Sequence, residues 1–197
     1  MPDLSGDTAD RKRDLRARLR FRRRHFVDNL DAMARLAAFR ALPEGLADRL
    51  ARDSDVSAYI ARAGEADILP ALSIWLDRGR VAMPYHAERD AIMGFRRWHA
   101  DDPLEQGPWR TAQPLRGAPA VVPDLIFCPL LGFDRAGRRL GQGGGHYDRY
   151  FAAHPDSLRI GVAWSIQEVD SIPTEATDIP LDAILTEQEW LITGDRM

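Results

Sequence analysis

The sequence predicts an α/β fold with a mostly parallel sheet and helices on both faces. Three observations carry that expectation. Short apolar runs of buried-strand type at 80–84, 125–131, 159–164 and 183–185 alternate with segments of helical periodicity. Glycine- or proline-marked turns separate them, which favours strand–helix alternation over a strand-only fold. The length, 197 residues, suits one ordinary domain with a sizeable core.

Taken in order, residues 10 to about 40 read as helix, interrupted or not, because the stretch is rich in Arg, Leu and Ala and lacks proline. Its first half is basic, with Arg11, Lys12, Arg13, Arg16, Arg18, Arg20 and Arg22 to Arg24. A second short helix follows at 43–51. Residues 56–61 are β-prone, and 67–78 read as an amphipathic helix that Gly79 stops. Residues 80–84 and 91–98 are expected strands. The stretch 100–123 carries five prolines and two glycines and is expected to be a long irregular connection over a site. A glycine-rich loop at 132–145 leads into a helix at 146–153. These elements describe a three-layer Rossmann-like sheet, mostly parallel, behind a basic N-terminal helix, in a single domain spanning 1–197.

Composition narrows the function classes. Hydrophobic residues make up 45% and charged residues 29%, a globular balance. The net charge of −3 argues against a surface devoted to nucleic acid. The basic helix reads as a solvated face; no aromatic platform accompanies it, so an RNA-associated protein is the weaker alternative. No stretch is long and apolar enough to span a membrane. Cys128 is the only cysteine and lies in an apolar run, so disulfides and a thiolate zinc site are not expected. The polar start, MPDLSGDTAD, shows no signal-peptide pattern, and a cytoplasmic location is expected.

The most informative segment runs from Gly132 to Arg149. It leaves a buried strand and passes Arg139, Leu140, Gly141, Gln142, Gly143, Gly144 and Gly145 before entering a helix at His146, Tyr147 and Asp148. Glycines let backbone N–H groups approach a ligand closely, and a helix N-terminus adds to an anion-binding concavity. The residues alone indicate a phosphate-binding loop, with a structural turn as the alternative. The loop is neither a Walker A motif nor a dinucleotide fingerprint. Asp148 reads equally as a helix cap or as a ligand for a divalent cation. Lys12 is the only lysine among 27 basic side chains, so a compact ammonium stands where every other position is arginine. Composition leaves chance and a phosphate contact both open.

Here the residues carry a family resemblance. Gly137 to Arg149, with the preceding Asp124-Leu125-Ile126 and Pro129-Leu130, resembles the signature of the 5-formyltetrahydrofolate cyclo-ligases, also called methenyltetrahydrofolate synthetases. Lys12-Arg13-Asp14-Leu15-Arg16 resembles the family's N-terminal Lys-x-x-Leu-Arg. Glu65-Ala66-Asp67, Phe95-Arg96-Arg97-Trp98, Gly161-Val162-Ala163 with Gln167, Pro173 and Asp178, and the closing Asp182 to Glu187 follow in the family's order. Three departures stand out. His146 replaces the first tyrosine of Tyr-Tyr-Asp, Gln113-Pro114 replaces Glu-Pro and removes a carboxylate, and Ala61-Arg62 lacks the usual small-Pro spacing.

The resemblance implies ATP-dependent closure of 5-formyltetrahydrofolate to 5,10-methenyltetrahydrofolate, in a monomer that uses neither nucleic acid nor membrane. A catalytically silent ATP- or folate-binding relative is the alternative. It implies Lys12, Arg139 and Asp148 as catalytic residues, with Asp148 on Mg2+. It also implies Lys12, Arg13, Asp14, Leu15 and Arg16, with residues 139–148, around ATP. Ile60, Glu65, Trp98, Gln142, Gly143, Gly144, Gly145 and His146 are implied at the folate.

Overall fold

The computed structural model describes residues 4–50, 54–62 and 64–197. Helix α1 (Leu4–Asp28) buries one stripe, Lys12, Leu15, Leu19, Arg23 and Val27, at the three- and four-residue spacing of a helical face. The chain breaks at Asn29. Asp31 then caps α2 (Ala32–Ala37) by accepting the N–H groups of Met33 and Ala34. Helix α3 (Glu44–Arg49) starts directly after Pro43.

The strands are β1 (Val56–Ser57), β2 (Val81–Tyr85), β3 (Gly94–Arg97), β4 (Leu104–Gln106), β5 (Ala112–Pro114), β6 (Ala120–Val121), β7 (Leu125–Pro129), β8 (Gly132–Phe133), β9 (Arg139–Leu140), β10 (Leu158–Val162), β11 (Ala183–Leu185) and β12 (Trp190–Ile192). Eight form one sheet in the order β12-β11-β10-β7-β1-β2-β3-β6. The central β11, β10, β7, β1 and β2 run parallel, and antiparallel strands close both edges. Alternate residues build two cores. Val56, Val81, Leu125, Phe127 and Ile160 face Val27, Leu46 of α3 and Trp75 of α4 (Ser73–Asp77). Ile126, Cys128 and Ile184 face Tyr150 and Phe151 of α5 (His146–Ala153). Helices therefore cover both faces, as the sequence predicts. Among the described residues no helix is long and apolar enough to cross a membrane.

Several elements differ from expectation, each for a local reason. The helix expected at 67–78 divides into a 3-10 turn, Leu69–Leu72, and α4, because Pro70 supplies no N–H for an α-helical bond. Only two residues of 56–61 pair, since the chain turns away towards Glu65. The stretch 100–123 is not structureless: it holds the β4–β5 hairpin and the edge strand β6. Strand β12 is a further addition.

A small β8–β9 hairpin precedes the glycine turn. Leu19 of α1 is fully buried there with Leu15, Leu140 and Ile172, and a Cβ on Gly132 would collide with the Leu19 side chain. Leu19→Ala is expected to lower stability by about 2–5 kcal/mol, measured by urea unfolding, because the rigid hairpin cannot collapse into the cavity. A loss below about 1 kcal/mol would show that α1 is only loosely docked.

Candidate active site

The periodicity that docks α1 decides which basic residues reach the glycine turn. Lys12 is 5% exposed and points inward, and Arg16 Nε donates to the Gly141 carbonyl at 3.0 Å. One turn on, Arg20 holds the Gln142 side chain at 2.9 Å. Arg13 and Asp14 point the other way: Arg13 pairs with Asp10 in solvent, and both are well exposed. Leu15 is core. The helical turn of about 100° per residue therefore puts Lys12 and Arg16 towards the glycine turn and Arg13 and Asp14 towards solvent.

The turn itself is shaped by backbone. Gly143 has φ +107° and Gly145 φ +61°, conformations that side chains disfavour. Gly145 is the N-cap of α5, and no side chain caps that terminus, so its first N–H groups lie open beside the glycines. Asp148 is not the cap. Its Oδ1 accepts from the Ile179 N–H at 3.1 Å and meets Arg139 Nη2 at 2.8 Å. Leu140 is buried beneath the turn, whereas Gln142, Gly143 and Gly144 are exposed.

Residues 175–181 tie these parts together. Lys12 Nζ donates to Glu175 at 2.7 Å and to Asp178 at 2.6 Å. Burial disfavours the ammonium, but these hydrogen bonds and charges outweigh it and raise the lysine pKa. Arg139 Nη1 donates to the Ile179 carbonyl at 2.8 Å. Lys12, Asp178, Ile179, Asp148 and Arg139 thus form one continuous chain of contacts. Glu175 was not foreseen; nothing in its local sequence marks it, and only the fold brings it to Lys12.

A second group lies at the carboxyl ends of β1 and β2. Ile60 and Glu65 share the turn leaving β1, where Glu65 Oε2 accepts the Arg62 N–H at 2.9 Å. Glu65 Oε1 is 3.8 Å from Arg23, and both side chains are nearly buried. Burial pushes the Tyr147 hydroxyl well above its usual range, and the nearby Cys128 and Glu65 push it further. His86, just past β2, meets His146 and Trp109 with ring centroids at 4.6 and 5.1 Å, and Trp109 is 4.7 Å from His146. Burial and the His146 ring lower the His86 pKa to about 4. Trp109 reaches this cluster from the segment over the site. Its signal in the sequence is an aromatic between Pro108 and Arg110 in a proline-rich connection.

Trp98 does not join them. Its backbone N–H donates to the Val81 carbonyl at the opening of β2, four residues or ~13 Å from the Tyr85 end at ~3.3 Å per residue. Its ring is 8% exposed in the core with Trp75, so antiparallel pairing of β3 carries it away from the site. Gln113 is also not a vacant position. Its amide donates to the His86 carbonyl and accepts the His86 N–H, both at 3.1 Å, a clip that an ionised glutamate could not complete. Glu105 supplies a carboxylate beside it, 3.2 Å away.

This arrangement offers an anion cradle of ammonium, guanidinium and backbone N–H groups next to an aromatic pocket with one buried carboxylate. A sequence profile described as the 5-formyltetrahydrofolate cyclo-ligase family matches residues 8–187. The chain belongs to that family. The cyclo-ligase chain is 32% identical over 146 residues to the Escherichia coli K12 5-formyltetrahydrofolate cyclo-ligase, covering 68% of this chain and 80% of that one. It is 32% identical over 139 residues to the Haemophilus influenzae relative of the same name, covering 66% and 74%. Its fold is similar to that of the Aquifex aeolicus 5,10-methenyltetrahydrofolate synthetase, with a TM-score of 0.72, 27% identity and 94% of each chain covered. Membership makes the chain a ligase of folate one-carbon chemistry.

For this cyclo-ligase the cradle fits a triphosphate. A lysine has three N–H donors, and Glu175 and Asp178 engage two of them, leaving a third for a phosphate oxygen. Among the described residues no three His, Cys, Asp or Glu side chains gather as a metal centre.

Proposed function

We propose that this chain closes 5-formyltetrahydrofolate to 5,10-methenyltetrahydrofolate, with ATP as phosphoryl donor and Mg2+ beside its phosphates. The observation that carries this reading is the linkage of Lys12, Arg139 and Asp148 through residues 175–181, next to a glycine turn at an open helix N-terminus. When bound, ATP supplies the phosphoryl group that turns the formyl oxygen into a leaving group.

The chain's own residues position and neutralise. Lys12, Arg16 and Arg139, with the N–H groups of residues 141–147, balance the phosphate charge, which is most of what phosphoryl transfer asks of a protein. Asp148 offers its second carboxylate oxygen to the cation. Glu65 and Ile60 orient the pterin edge, and the His86, Trp109 and His146 rings shield the reacting face from water. No covalent nucleophile is required. Cys128 is buried, and its thiol is pushed up to about 12, so it stays protonated. The same proposal has the chain act as a single-domain monomer in a reducing cytoplasm on a small-molecule substrate, without nucleic acid or membrane.

The test is absorbance in the methenyl-folate band with purified protein, 5-formyltetrahydrofolate, Mg2+ and ATP, against a control lacking ATP. Growth of the band that depends on ATP supports the proposal. A flat trace from folded, nucleotide-binding protein would refute cyclisation.

A further inference from the structure

His146 stands where the family pattern has tyrosine, and its surroundings decide the state of its ring. Arg149, three residues on along α5, places Nη2 3.0 Å from His146 Nδ1. A guanidinium carries donors only, so Nδ1 must accept, and the proton of the neutral ring stands on Nε2.

Nε2 faces the backbone of the glycine turn. A Cβ on Gly144 would lie 2.5 Å from Nε2 and 2.6 Å from Cδ2, so the ring occupies the space this glycine leaves. His86 and Trp109 pack against the same ring at 4.6 and 4.7 Å and limit its swing. Without Arg149, the imidazole would be free to present a lone pair to an anion.

We propose that Arg149 is a positioning residue that locks His146 with its Nε2–H aimed into the glycine turn, as a donor to a phosphate oxygen of the bound nucleotide. The inference rests on the nucleotide reading of that turn. It explains how a histidine serves at a tyrosine position: one N–H replaces the phenolic O–H, and the arginine removes the tautomer ambiguity that a tyrosine lacks.

Nitrogen NMR of the full chain, labelled at histidine and kept at pH 7 without nucleotide, reads the lock directly. His146 is expected to be protonated at Nε2 and bare at Nδ1. Arg149→Met is expected to mix the tautomers, whereas Arg149→Lys, still a pure donor, keeps the Nε2–H form. Calorimetry with MgATP reads the donor role without turnover. His146→Phe, which keeps a ring and removes the donor, should weaken nucleotide binding about 10- to 100-fold, the usual worth of a hydrogen bond to a charged group. His146→Tyr should recover most of it, and thermal melts confirm that each variant folds. A ring protonated at Nδ1 in the parent chain, or unchanged MgATP affinity in folded His146→Phe, overturns the proposal. A parent that binds MgATP through His146 yet forms no methenyl product would count against cyclisation instead and leave the lock standing.

Discussion

Lys12→Ala is expected to lower kcat/KM for ATP by about 10³-fold, the scale seen when a preorganised electrostatic donor is removed from a site of charge development. The side chain is the chain's one ammonium, it is 5% exposed, and two carboxylates fix its position. The loss should fall mainly on ATP parameters, with the folate KM much less affected. Stability supplies a second readout. In the parent the lysine pKa is raised, so its contribution is complete below the ordinary value of 10.5 and is lost only as pH rises through the higher folded value. Neutral buffers therefore do not disturb it. In the variant, Glu175 and Asp178 face each other without a cation. Their mutual repulsion should lower the melting temperature at pH 7. Parental ATP kinetics in folded protein would remove Lys12 from the site.

Glu65→Gln is expected to raise the folate KM about tenfold while the ATP KM stays within about twofold, since one charged hydrogen bond to the pterin edge is lost. The structure adds a complication. Glu65 is also the counter-charge of Arg23, whose guanidinium is nearly buried 3.8 Å away. Leaving that cation unpaired should destabilise the fold by roughly 3 kcal/mol, measured by denaturant unfolding. The double variant with Arg23→Met separates the two effects. It should regain stability but keep the folate defect. Full recovery of folate affinity in the double variant would mean that Glu65 acts only through Arg23.

Features set by neighbouring residues were legible in the sequence. The helix at 146–153, the stop at Gly79 and the buried run at 125–131 stand where local periodicity and glycine chemistry put them. The same holds for the glycine turn and for Lys12, whose chemistry is distinctive in a chain of arginines. What escaped depends on pairing register and long-range docking. Trp98 belongs to the motif that resembles the family, yet the register of β3 against β2 sends it to the far end of the sheet. Trp109, His86 and Glu175 gain meaning only once distant segments converge. Strands of two or three residues, such as β6 and β12, carry too short a pattern to announce themselves. Gln113 looked like a missing carboxylate, but its amide has a task of its own at His86.

The contacts of Lys12 with Glu175 and Asp178 span 163 and 166 residues of sequence. Synthesis proceeds from the amino end, so α1 leaves the ribosome well before its two carboxylate partners. A nascent chain therefore carries the Lys12 ammonium without these two partners until they are made. The cradle closes only when residues 175–178 emerge, and a chain stopped before them has no finished cradle.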